Sequence, residues 1–360
     1  DVKSTKPQPS STTRRKVYLV DGARTPFLKA RGRPGPFSPV DLSVQCGRPL
    51  LMRQKIPAEA YDQVILGCVN VVPSEMNPAR VAALRLGMGE AMPAFTVQIN
   101  CGSGMQSLDT AYKYIREGSA DLILAGGTEA LSHAPMVLSR DAVDWLAGFN
   151  SASSAQDYAR QVTDFSPSDF KPQISLEQGL TDPVVGLSMG QTAEVLAQQF
   201  NISRQAADQY AVTSHQRLAR AVDEGWLDDE VIPAVAPDGT LHKHDDGVRP
   251  DTSEEKLAGL KPVFEPPYGK VTAGNSSQVT DGASWMILAS EEAVEKYGLE
   301  PKAVIVDSEW SALDPKIMGL GPVLSSSALL KRHGKGLDDM DLWEINEAFA
   351  AQVLACLQAW

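Results

Sequence analysis

The 360-residue sequence is poor in cysteine, in net positive charge and in long apolar runs. Its 4 cysteines, Cys46, Cys68, Cys101 and Cys356, include no closely spaced pair. This spacing argues against a disulfide framework and against a zinc site, and it is typical of a protein from a reducing compartment. No run of about 18 apolar residues occurs, so we expect no transmembrane helix.

The charge balance is acidic, with 45 Asp and Glu against 33 Lys and Arg and a formal net charge of −12. This excess disfavours nucleic acid and anionic membrane surfaces as general partners, and an anionic small substrate would need a local basic patch. Residues 1–16 differ from the rest because they are polar, basic and rich in Pro and Ser. They lack the apolar segment of a secretory signal, so we expect a disordered leader, with a trimmed organelle-import remnant as the alternative.

The length and a hydrophobic fraction of 43% favour two or three units with a large buried core. Strand-like runs alternate with helical runs in residues 17–130 and again near the end of the chain. VYLVDGARTPF is typical of a strand and turn. YDQVILGCVN, ADLILAGGTEA, AVIVDSEW and DLWEIN are typical strands, and VDLSVQCGRPLLMRQ and GMQSLDTAYKYIREG are typical helices. This alternation predicts parallel βαβ units with helices on both faces of a sheet.

Between Leu131 and Asn275 the composition changes, with more Ser, Asp, Pro and Gly and few strand-like runs. Two helices stand out, MGQTAEVLAQQF and SRQAADQYAVTSHQRLARAVDEG. In the second helix, Ser203 is the expected N-cap and Gly225 the expected stop. We interpret the segment as a largely helical insertion that covers part of the molecule.

The two α/β regions contain similar junctions. TVQIN before Cys101 and LWEIN before Glu347 both look like strands that end in Ile-Asn and lead into an amphipathic helix. The repeat indicates a duplicated fold. In the second copy the chain ends at Trp360 on an apolar helix, so we expect this chain to be a fragment.

The segment VQINCGSGMQS places Cys101 where a strand ends and a helix begins. At a helix N-terminus, unpaired backbone N–H groups and the helix dipole favour negative charge, so a thiol there ionises readily. The same N–H groups can hold an oxyanion, and Gly102 and Gly104 allow a substrate to approach the backbone. The pattern fits a covalent acyl-enzyme. The alternative is a small buried residue at a tight turn.

Six segments, in chain order, resemble the thiolase family: NCGSGMQS, AGGTEALSHAP, GLSMGQTAE, VTAGNSSQVTDGAS, DPKIMGLGPV and EINEAFAAQ. The resemblance extends from about Val17 to Trp360. It implies an α/β thiolase fold, in which two βαβαβ halves form five αβαβα layers and a helical loop domain covers the coenzyme A site. We therefore expect residues 17–130 and 276–292 to form the N-terminal half, 131–275 the loop domain and 293–360 an incomplete C-terminal half.

The resemblance also implies a reaction. An acyl group would pass between an active-site cysteine and coenzyme A, in thiolysis of a 3-ketoacyl-CoA or in Claisen condensation of acetyl-CoA. By this analogy Cys101 is the nucleophile, and Asn346 positions a water that helps to bind the thioester oxygen. The positions implied for substrate or coenzyme A binding are Leu180, Met189, Arg249, Phe264, Ala273, Gly274, Ser277, Met318 and Phe349.

Structural alternatives remain for several of these residues. Asn346 could simply cap the following helix. Met189, Met318 and Phe349 would be interpreted as core residues without the resemblance. Arg249 could be a solvated surface residue, and Ser277 could stabilise a turn.

Other polar residues are weaker candidates. LHKHDDG, residues 241–247, has a conceivable metal-ligand spacing but favours a solvated turn. His133 and His215 could each be proposed as a base for Cys101, but neither lies in a motif that the family uses for chemistry. Cys46 and Cys68 lie in apolar segments and are expected to be buried. Cys356 lies on the last helix and does not match the second catalytic cysteine of the family.

Thiolases carry two further motifs after NEAFA. These are a histidine in a Gly-His-Pro context, which activates the nucleophile, and a cysteine in a glycine-rich loop, which moves the proton at the α-carbon. Neither motif follows NEAFA within residues 1–360. We expect both in residues beyond Trp360, and the alternative is a catalytically dead lipid-carrier or scaffold subunit. Ser188 stands where some short-chain members have histidine, so chain-length preference and reaction direction stay open.

The expected partners are acyl-CoA and coenzyme A, with no bound cofactor and no metal. We expect a homodimer or homotetramer, with a partner from a fatty-acid-oxidation complex as a further option. A ketoacyl-carrier-protein synthase fits less well, because NEAFA and GLSMGQTAE are thiolase-like. The expected location is the cytoplasm, with the mitochondrial matrix as the alternative.

Overall fold

The computed structural model describes residues 15–360. Residues 1–14, which make up most of the predicted disordered leader, lie outside the described residues. Arg15, which the prediction placed in that leader, forms ion pairs with Asp121 and, at 2.6 Å, with Glu292. The folded part of the chain therefore includes Arg15.

Short and long strands alternate with helices in the described residues. The strands are β1 (Val17–Arg24), β2 (Leu28–Lys29), β3 (Gln63–Gly67), β4 (Ala94–Val97), β5 (Leu122–Ala130), β6 (Met136–Val137), β7 (Gln173–Ile174), β8 (Ala234–Val235), β9 (Leu241–His242), β10 (Thr280–Ser290) and β11 (Ala303–Ile305). The helices are α1 (Pro39–Arg53), α2 (Pro78–Arg85), α3 (Ser103–Arg116), α4 (Arg140–Ser151), α5 (Ala155–Thr163), α6 (Ser175–Gly179), α7 (Met189–Gln199), α8 (Arg204–Asp223), α9 (Glu254–Ala258), α10 (Glu291–Tyr297), α11 (Gly321–Arg332) and α12 (Ala350–Ala359).

A seven-stranded mixed sheet forms the centre of the molecule, in the order β11-β1-β10-β5-β3-β4, with β2 paired to β10. Strands β3, β4 and β5 run parallel, as the alternation of strands and helices predicts. Strands β1, β10 and β11 pair antiparallel, and the register of β10 with β5 runs from Asp281 opposite Ala130 to Ala289 opposite Leu122. The sequence pattern did not reveal this change of direction, because β10 follows the insertion instead of a crossover helix.

Helices cover both faces of the sheet, and β5 shows why. Leu122 and Leu124 pack on the side of α1 and α2, whereas Ile123 and Ala125 pack on the side of α3. Successive side chains of a strand point to opposite faces, so a strand without polar alternation must be covered twice. Burying each large aliphatic side chain contributes about 1.5–3 kcal/mol.

Helix boundaries follow the capping signals in the sequence. Ser203 accepts a hydrogen bond from the Ala206 amide at the start of α8, and Ser290 does the same for the Ala293 amide at the start of α10. Helix α8 ends at Asp223, two residues before Gly225, whose φ of +71° suits glycine. Ser188 caps α7 in a capping box with Gln191.

The segment between β5 and β10 is largely helical and contains more helices than the two that stand out in the sequence. Helices α4 and α5 pack against each other through aromatic rings, with Phe149 of α4 edge to face with Tyr158 of α5 at 5.5 Å. Helix α7 packs on α12 through Leu196, Ala351 and Ala355. The insertion therefore contacts the C-terminal part of the chain.

The predicted strand DLWEIN is wrong, because residues 341–346 have no strand assignment and pair with no strand among residues 15–360. The predicted strand AVIVDSEW is limited to Ala303–Ile305, which pairs with the edge of the sheet at β1. A strand needs a neighbour for its backbone N–H and C=O groups. An apolar pattern alone therefore did not make residues 341–346 a strand.

Candidate active site

Cys101 lies exposed between the end of β4 and the start of α3. Gly102 occupies the N-cap position of α3, and no side chain caps this helix end. Asn100, immediately before the thiol, has a left-handed φ of +44° that non-glycine residues rarely adopt. The turn thus presents Cys101 at the electropositive end of a helix, where negative charge is favoured.

Glycines allow the N-terminus of α3 to lie directly on the sheet. A Cβ on Gly67 of β3 would lie 2.3 Å from the carbonyl carbon and oxygen of Ser103, and a Cβ on Gly127 of β5 would lie 3.2 Å from the Cα of Gly104. The backbone of α3 occupies the space that these side chains would need. The start of α3, and with it Cys101, is therefore fixed by backbone packing.

Cys101 opens into a cavity of about 800 Å³. Three other predicted site residues line the same cavity, namely Met318, Asn346 and Phe349. Met105 and Trp310 also line it, and Met105 is 66% exposed although it belongs to the predicted apolar stripe of α3. The structure therefore brings the predicted nucleophile, the predicted catalytic asparagine and two predicted pocket residues together.

Asn346 does not cap the helix that follows it. The N-cap position of α12 is Phe349, which makes no side-chain cap, and the Asn346 side chain hydrogen-bonds no group within residues 15–360. Its segment is held by the backbone. The Ser277 amide donates to the Ala348 carbonyl at 2.9 Å, and the Ala350 amide donates to the Asn275 carbonyl at 3.0 Å. These contacts leave the Asn346 amide free to bind a ligand.

The remaining predicted binding residues do not line the Cys101 cavity: Leu180, Met189, Arg249, Phe264, Ala273, Gly274 and Ser277. The ring of Phe264 lies 6.1 Å from that of Phe349, edge to face. A Cβ on Gly190 would overlap the Phe264 ring, so α7 packs closely on it. Phe264 therefore connects the binding residues of the insertion to the cavity wall.

Two of the other predicted binding residues donate backbone hydrogen bonds. The Met189 amide donates to the Leu180 carbonyl at 2.9 Å, and the Arg249 amide donates to Nδ1 of His215 at 3.2 Å. The Arg249 side chain, Ala273 and Ser277 are exposed. An exposed guanidinium is open to an anionic ligand.

A buried polar network holds the loop of residues 270–278. The Asn275 side-chain amide donates to Asp208 at 2.8 Å, and its oxygen accepts the Thr272 amide at 2.8 Å. Glu194 accepts the amides of Lys270 and Val271. Buried polar groups of this kind fix a loop because each unmade bond would leave a desolvated group unpaired. The loop is therefore anchored to α7 and α8.

Residues 17–292 match the family described as thiolase, N-terminal domain, and residues 299–360 match thiolase, C-terminal domain. The chain belongs to the thiolase family. The predicted resemblance, the α/β thiolase fold and the acyltransferase class of activity are thereby confirmed.

Individual thiolase relatives agree with this assignment. The chain is 37% identical, over 96% of its length and 83% of the relative's, to the 3-oxoadipyl-CoA/3-oxo-5,6-dehydrosuberyl-CoA thiolase of Escherichia coli K12. It is 36% identical, over 94% and 82%, to a probable acetyl-CoA acyltransferase of Staphylococcus epidermidis. The crystal structure of human mitochondrial 3-ketoacyl-CoA thiolase superimposes with a TM-score of 0.85 at 38% identity, over 96% of this chain and 83% of that one. These relatives do not favour the scaffold alternative.

The other candidates of this thiolase chain have structural roles. Nε2 of His133 lies 2.9 Å from the Gly35 carbonyl, and neither His133 nor His215 lines the Cys101 cavity. Asp245 and Asp246 of LHKHDDG bind Arg24 and Arg31, and no group of potential metal ligands occurs in the described residues. The segment therefore anchors a loop.

The other three cysteines are buried, as expected for Cys46 and Cys68. Burial raises the pKa of Cys46 to about 12 and also raises the pKa of Cys68, where Glu129 adds to the effect. Burial likewise raises the pKa of Cys356, whose thiol donates to the Gly319 carbonyl at 3.2 Å. Cys101 differs from all three in being exposed.

Sequence reasoning missed two features of the thiolase site. Trp310, in an irregular loop after β11, lines the cavity, and its ring lies 3.9 Å from where a Cβ on Gly102 would be. Glu347 binds two hydroxyl groups of α8. The sequence signal for Trp310 was Asp109, a carboxylate beside the apolar stripe of α3. Asp109 accepts the Ser308 hydroxyl at 2.5 Å and so binds the loop that carries Trp310.

Proposed function

We propose that Cys101 is the nucleophile with which this chain transfers an acyl group between a 3-ketoacyl-CoA and coenzyme A. The observation that carries this proposal is the position of the exposed thiol. It lies at the N-terminus of α3 and shares a cavity of about 800 Å³ with Asn346, Met318 and Phe349. A helix N-terminus favours both the thiolate and an oxyanion formed at the carbon that it attacks.

In the thiolysis direction, Sγ of Cys101 bonds to the 3-keto carbon of the substrate. The bond between the α-carbon and that carbon breaks, and its electron pair stays with the acetyl-CoA unit, which takes up a proton at the α-carbon. The acyl group remains on Cys101 as a thioester. The thiol of a second coenzyme A then attacks this thioester, and Cys101 leaves with the proton restored.

Asn346 contributes to this site through its side-chain amide. The amide lies free in the cavity wall while the backbone of its segment is held by Ser277 and Asn275. A preorganised hydrogen-bond donor of this kind can hold a water against the thioester oxygen and stabilise the charge that develops there. We therefore assign Asn346 to oxyanion stabilisation through a bound water.

The coenzyme A moiety would bind along the insertion. We assign residues 17–130 and 276–292 to the N-terminal half, 131–275 to the covering loop domain and 293–360 to the C-terminal half. Exposed Arg249, Ala273 and Ser277 would meet the polar part of coenzyme A. Phe264 and Phe349, together with Met318, would meet the apolar part, as would Leu180, Met189 and Gly274. A crystal structure of the human mitochondrial relative in complex with CoA, with 39% identity and a TM-score of 0.85, supports coenzyme A as the ligand.

The assembly and location are also part of the proposal. We infer a homodimer or homotetramer. Association with a partner in a fatty-acid-oxidation complex is a further option. We place the protein in the cytoplasm because bacterial proteins are among its relatives. The mitochondrial matrix is the alternative, because a human mitochondrial thiolase is also a relative. No helix within residues 15–360 is long and apolar enough to cross a membrane.

The test measures thiolysis of acetoacetyl-CoA and of longer 3-ketoacyl-CoAs by the gene product that contains residues 1–360. Cys101→Ala should abolish thiolysis and the acyl mass increment on the Cys101 peptide. Asn346→Ala should lower kcat by about 10²–10³, as for loss of an oxyanion donor. Cys46→Ala, which removes a buried thiol outside the cavity, is the control and should keep its activity. Equal thiolysis by wild type and Cys101→Ala would refute the proposal.

A further inference from the structure

Ser103 makes two hydrogen bonds that close the turn carrying Cys101. Its Oγ accepts the amide of Ile99 at 2.9 Å and donates to the carbonyl of Asn100 at 2.7 Å. The Gly102 amide also donates to the Ile99 carbonyl, and the Ser103 amide donates to the Asn100 carbonyl, each at 3.0 Å. The hydroxyl therefore joins the two residues before the thiol to the first residue of α3.

The turn needs this support because Asn100 adopts a left-handed φ of +44°. An L-residue other than glycine holds that conformation only when its surroundings enforce it. The Asn100 carbonyl, which follows the strained dihedral directly, accepts both the amide and the hydroxyl of Ser103. The path of the chain into Cys101 is thus set by Ser103.

Ser103 itself has little room to move. It is 4% exposed, and its backbone lies where a Cβ on Gly67 would approach to 2.3 Å. Ser103 does not line the cavity, although Cys101 and Gly102 on one side and Met105 on the other do. It can therefore influence substrate only through the position of the thiol.

We propose that Ser103 is a positioning residue, which holds Asn100 in its left-handed conformation and so aims Sγ of Cys101 at the acyl carbon. This inference rests on the proposed function, because it takes Cys101 as the nucleophile. Ser103 would affect the reaction through the position of Sγ alone. A nucleophile displaced by about 1 Å from its attack position loses about 10²-fold in rate.

The test compares Ser103→Ala with Ser107→Ala in the gene product that contains residues 1–360. Ser107 is a matched control because it is also buried on α3. Its hydroxyl lies 2.7 Å from the Gly104 carbonyl and 2.6 Å from the Gly126 carbonyl, and neither bond belongs to the Cys101 turn. Melting temperatures of both variants report any loss of stability. Ser103→Thr, which keeps the hydroxyl, tests for rescue.

Ser103→Ala should lower the rate of Cys101 acylation and kcat by about 10- to 100-fold, with KM for the acyl-CoA little changed. Alkylation of Cys101 by iodoacetamide should change far less, because a small reagent needs only an exposed thiol. Ser107→Ala should keep wild-type kcat. The inference is overturned if Ser103→Ala keeps wild-type kcat, if alkylation falls as much as acylation, or if both variants lose activity in proportion to their melting temperatures. Failure of the proposed function would instead appear as undiminished activity in Cys101→Ala.

Discussion

The carboxylate of Glu347 accepts a hydrogen bond from the hydroxyl of Tyr210 at 2.7 Å. Its second oxygen accepts the hydroxyl of Ser214 at 2.6 Å. Both hydroxyls belong to α8 of the insertion, whereas Glu347 directly follows Asn346 in the cavity wall. Burial raises the pKa of Tyr210, and the neighbouring Glu347 raises it further, so the phenol stays protonated as the donor. Hydrogen bonds therefore join the insertion, which is the proposed coenzyme A cover, to the segment that carries Asn346, the proposed catalytic asparagine.

Loss of this link should weaken catalysis without removing it. Tyr210→Phe deletes one hydrogen bond to a charged acceptor, which is worth about 1 kcal/mol at a partly exposed position. We expect kcat/KM for thiolysis to fall about three- to tenfold. In a Glu347→Ala background the same substitution should add little, and a double-mutant cycle measures the difference.

Tyr18→Phe is the matched control for this link. Tyr18 donates to Glu291 at 3.3 Å on a different part of the sheet, and neither residue lines the cavity. The control should retain wild-type kinetics. Additive effects of Tyr210→Phe and Glu347→Ala would show that the two residues are not coupled.

The four cysteines should react at very different rates. Cys101 is exposed, whereas Cys46, Cys68 and Cys356 are buried, and burial raises the pKa of each of these three. Since the thiolate is the reactive form, iodoacetamide near neutral pH should label Cys101 alone among the cysteines of residues 1–360 in the native protein. Within these residues, peptide mass spectrometry should show one adduct in native protein and four after denaturation. Comparable labelling of any buried cysteine in the native state would contradict the described packing.

An ion-pair cluster beside the cavity predicts a pH dependence of stability. Burial alone would raise the pKa of Asp307, but hydrogen bonds from His333, from the Ser308 amide and from Arg332 outweigh it and lower the pKa to about 2. Because the folded-state value is depressed from 3.8, the stabilisation is present above pH 3.8 and is lost as the pH falls towards about 2. Asp307→Asn should therefore melt at a lower temperature than wild type near neutral pH, and the two should converge in acid.

Melting temperatures measured across this acid range check the prediction. Asp338→Asn is the control, because Asp338 is exposed and has no ion pair among residues 15–360. Its melting temperature should follow that of wild type at every pH. A difference between Asp307→Asn and wild type that stays constant down to about pH 2 would show that titration of Asp307 is not its source.

Local signals in the sequence predicted the elements that position Cys101. Ser203 caps α8 as expected, and β5 is covered on both faces as its unbroken apolar run implies. These features depend on neighbouring residues only, so periodicity and capping chemistry reveal them. The thiol at the N-terminus of α3 was predictable for the same reason.

Features that depend on distant residues were not predictable in this way. The strand expected at residues 341–346 finds no pairing partner in residues 15–360, and α4 and α5 are held together by rings from different helices, such as Phe149 and Tyr158, in a segment without strong periodicity. The bonds from Tyr210 and Ser214 to Glu347 span more than 130 residues. No local pattern encodes such pairs, and they are found only when the chain is folded.

Trp310 should limit the size of the acyl group at Cys101. Its ring lines the cavity 3.9 Å from the position of a Cβ on Gly102, and its loop is bound to the buried Asp109 through Ser308 at 2.5 Å. An anchored aromatic ring beside Cys101, the proposed nucleophile, leaves less room for bulky substrates. Trp310→Ala should raise kcat/KM for long 3-ketoacyl-CoAs, relative to acetoacetyl-CoA, by about tenfold. Trp226→Ala is the control, since Trp226 is exposed and outside the cavity, and its ratio should not change. An unaltered ratio in Trp310→Ala, in a protein that still acylates Cys101, would mean that another part of the wall sets the limit.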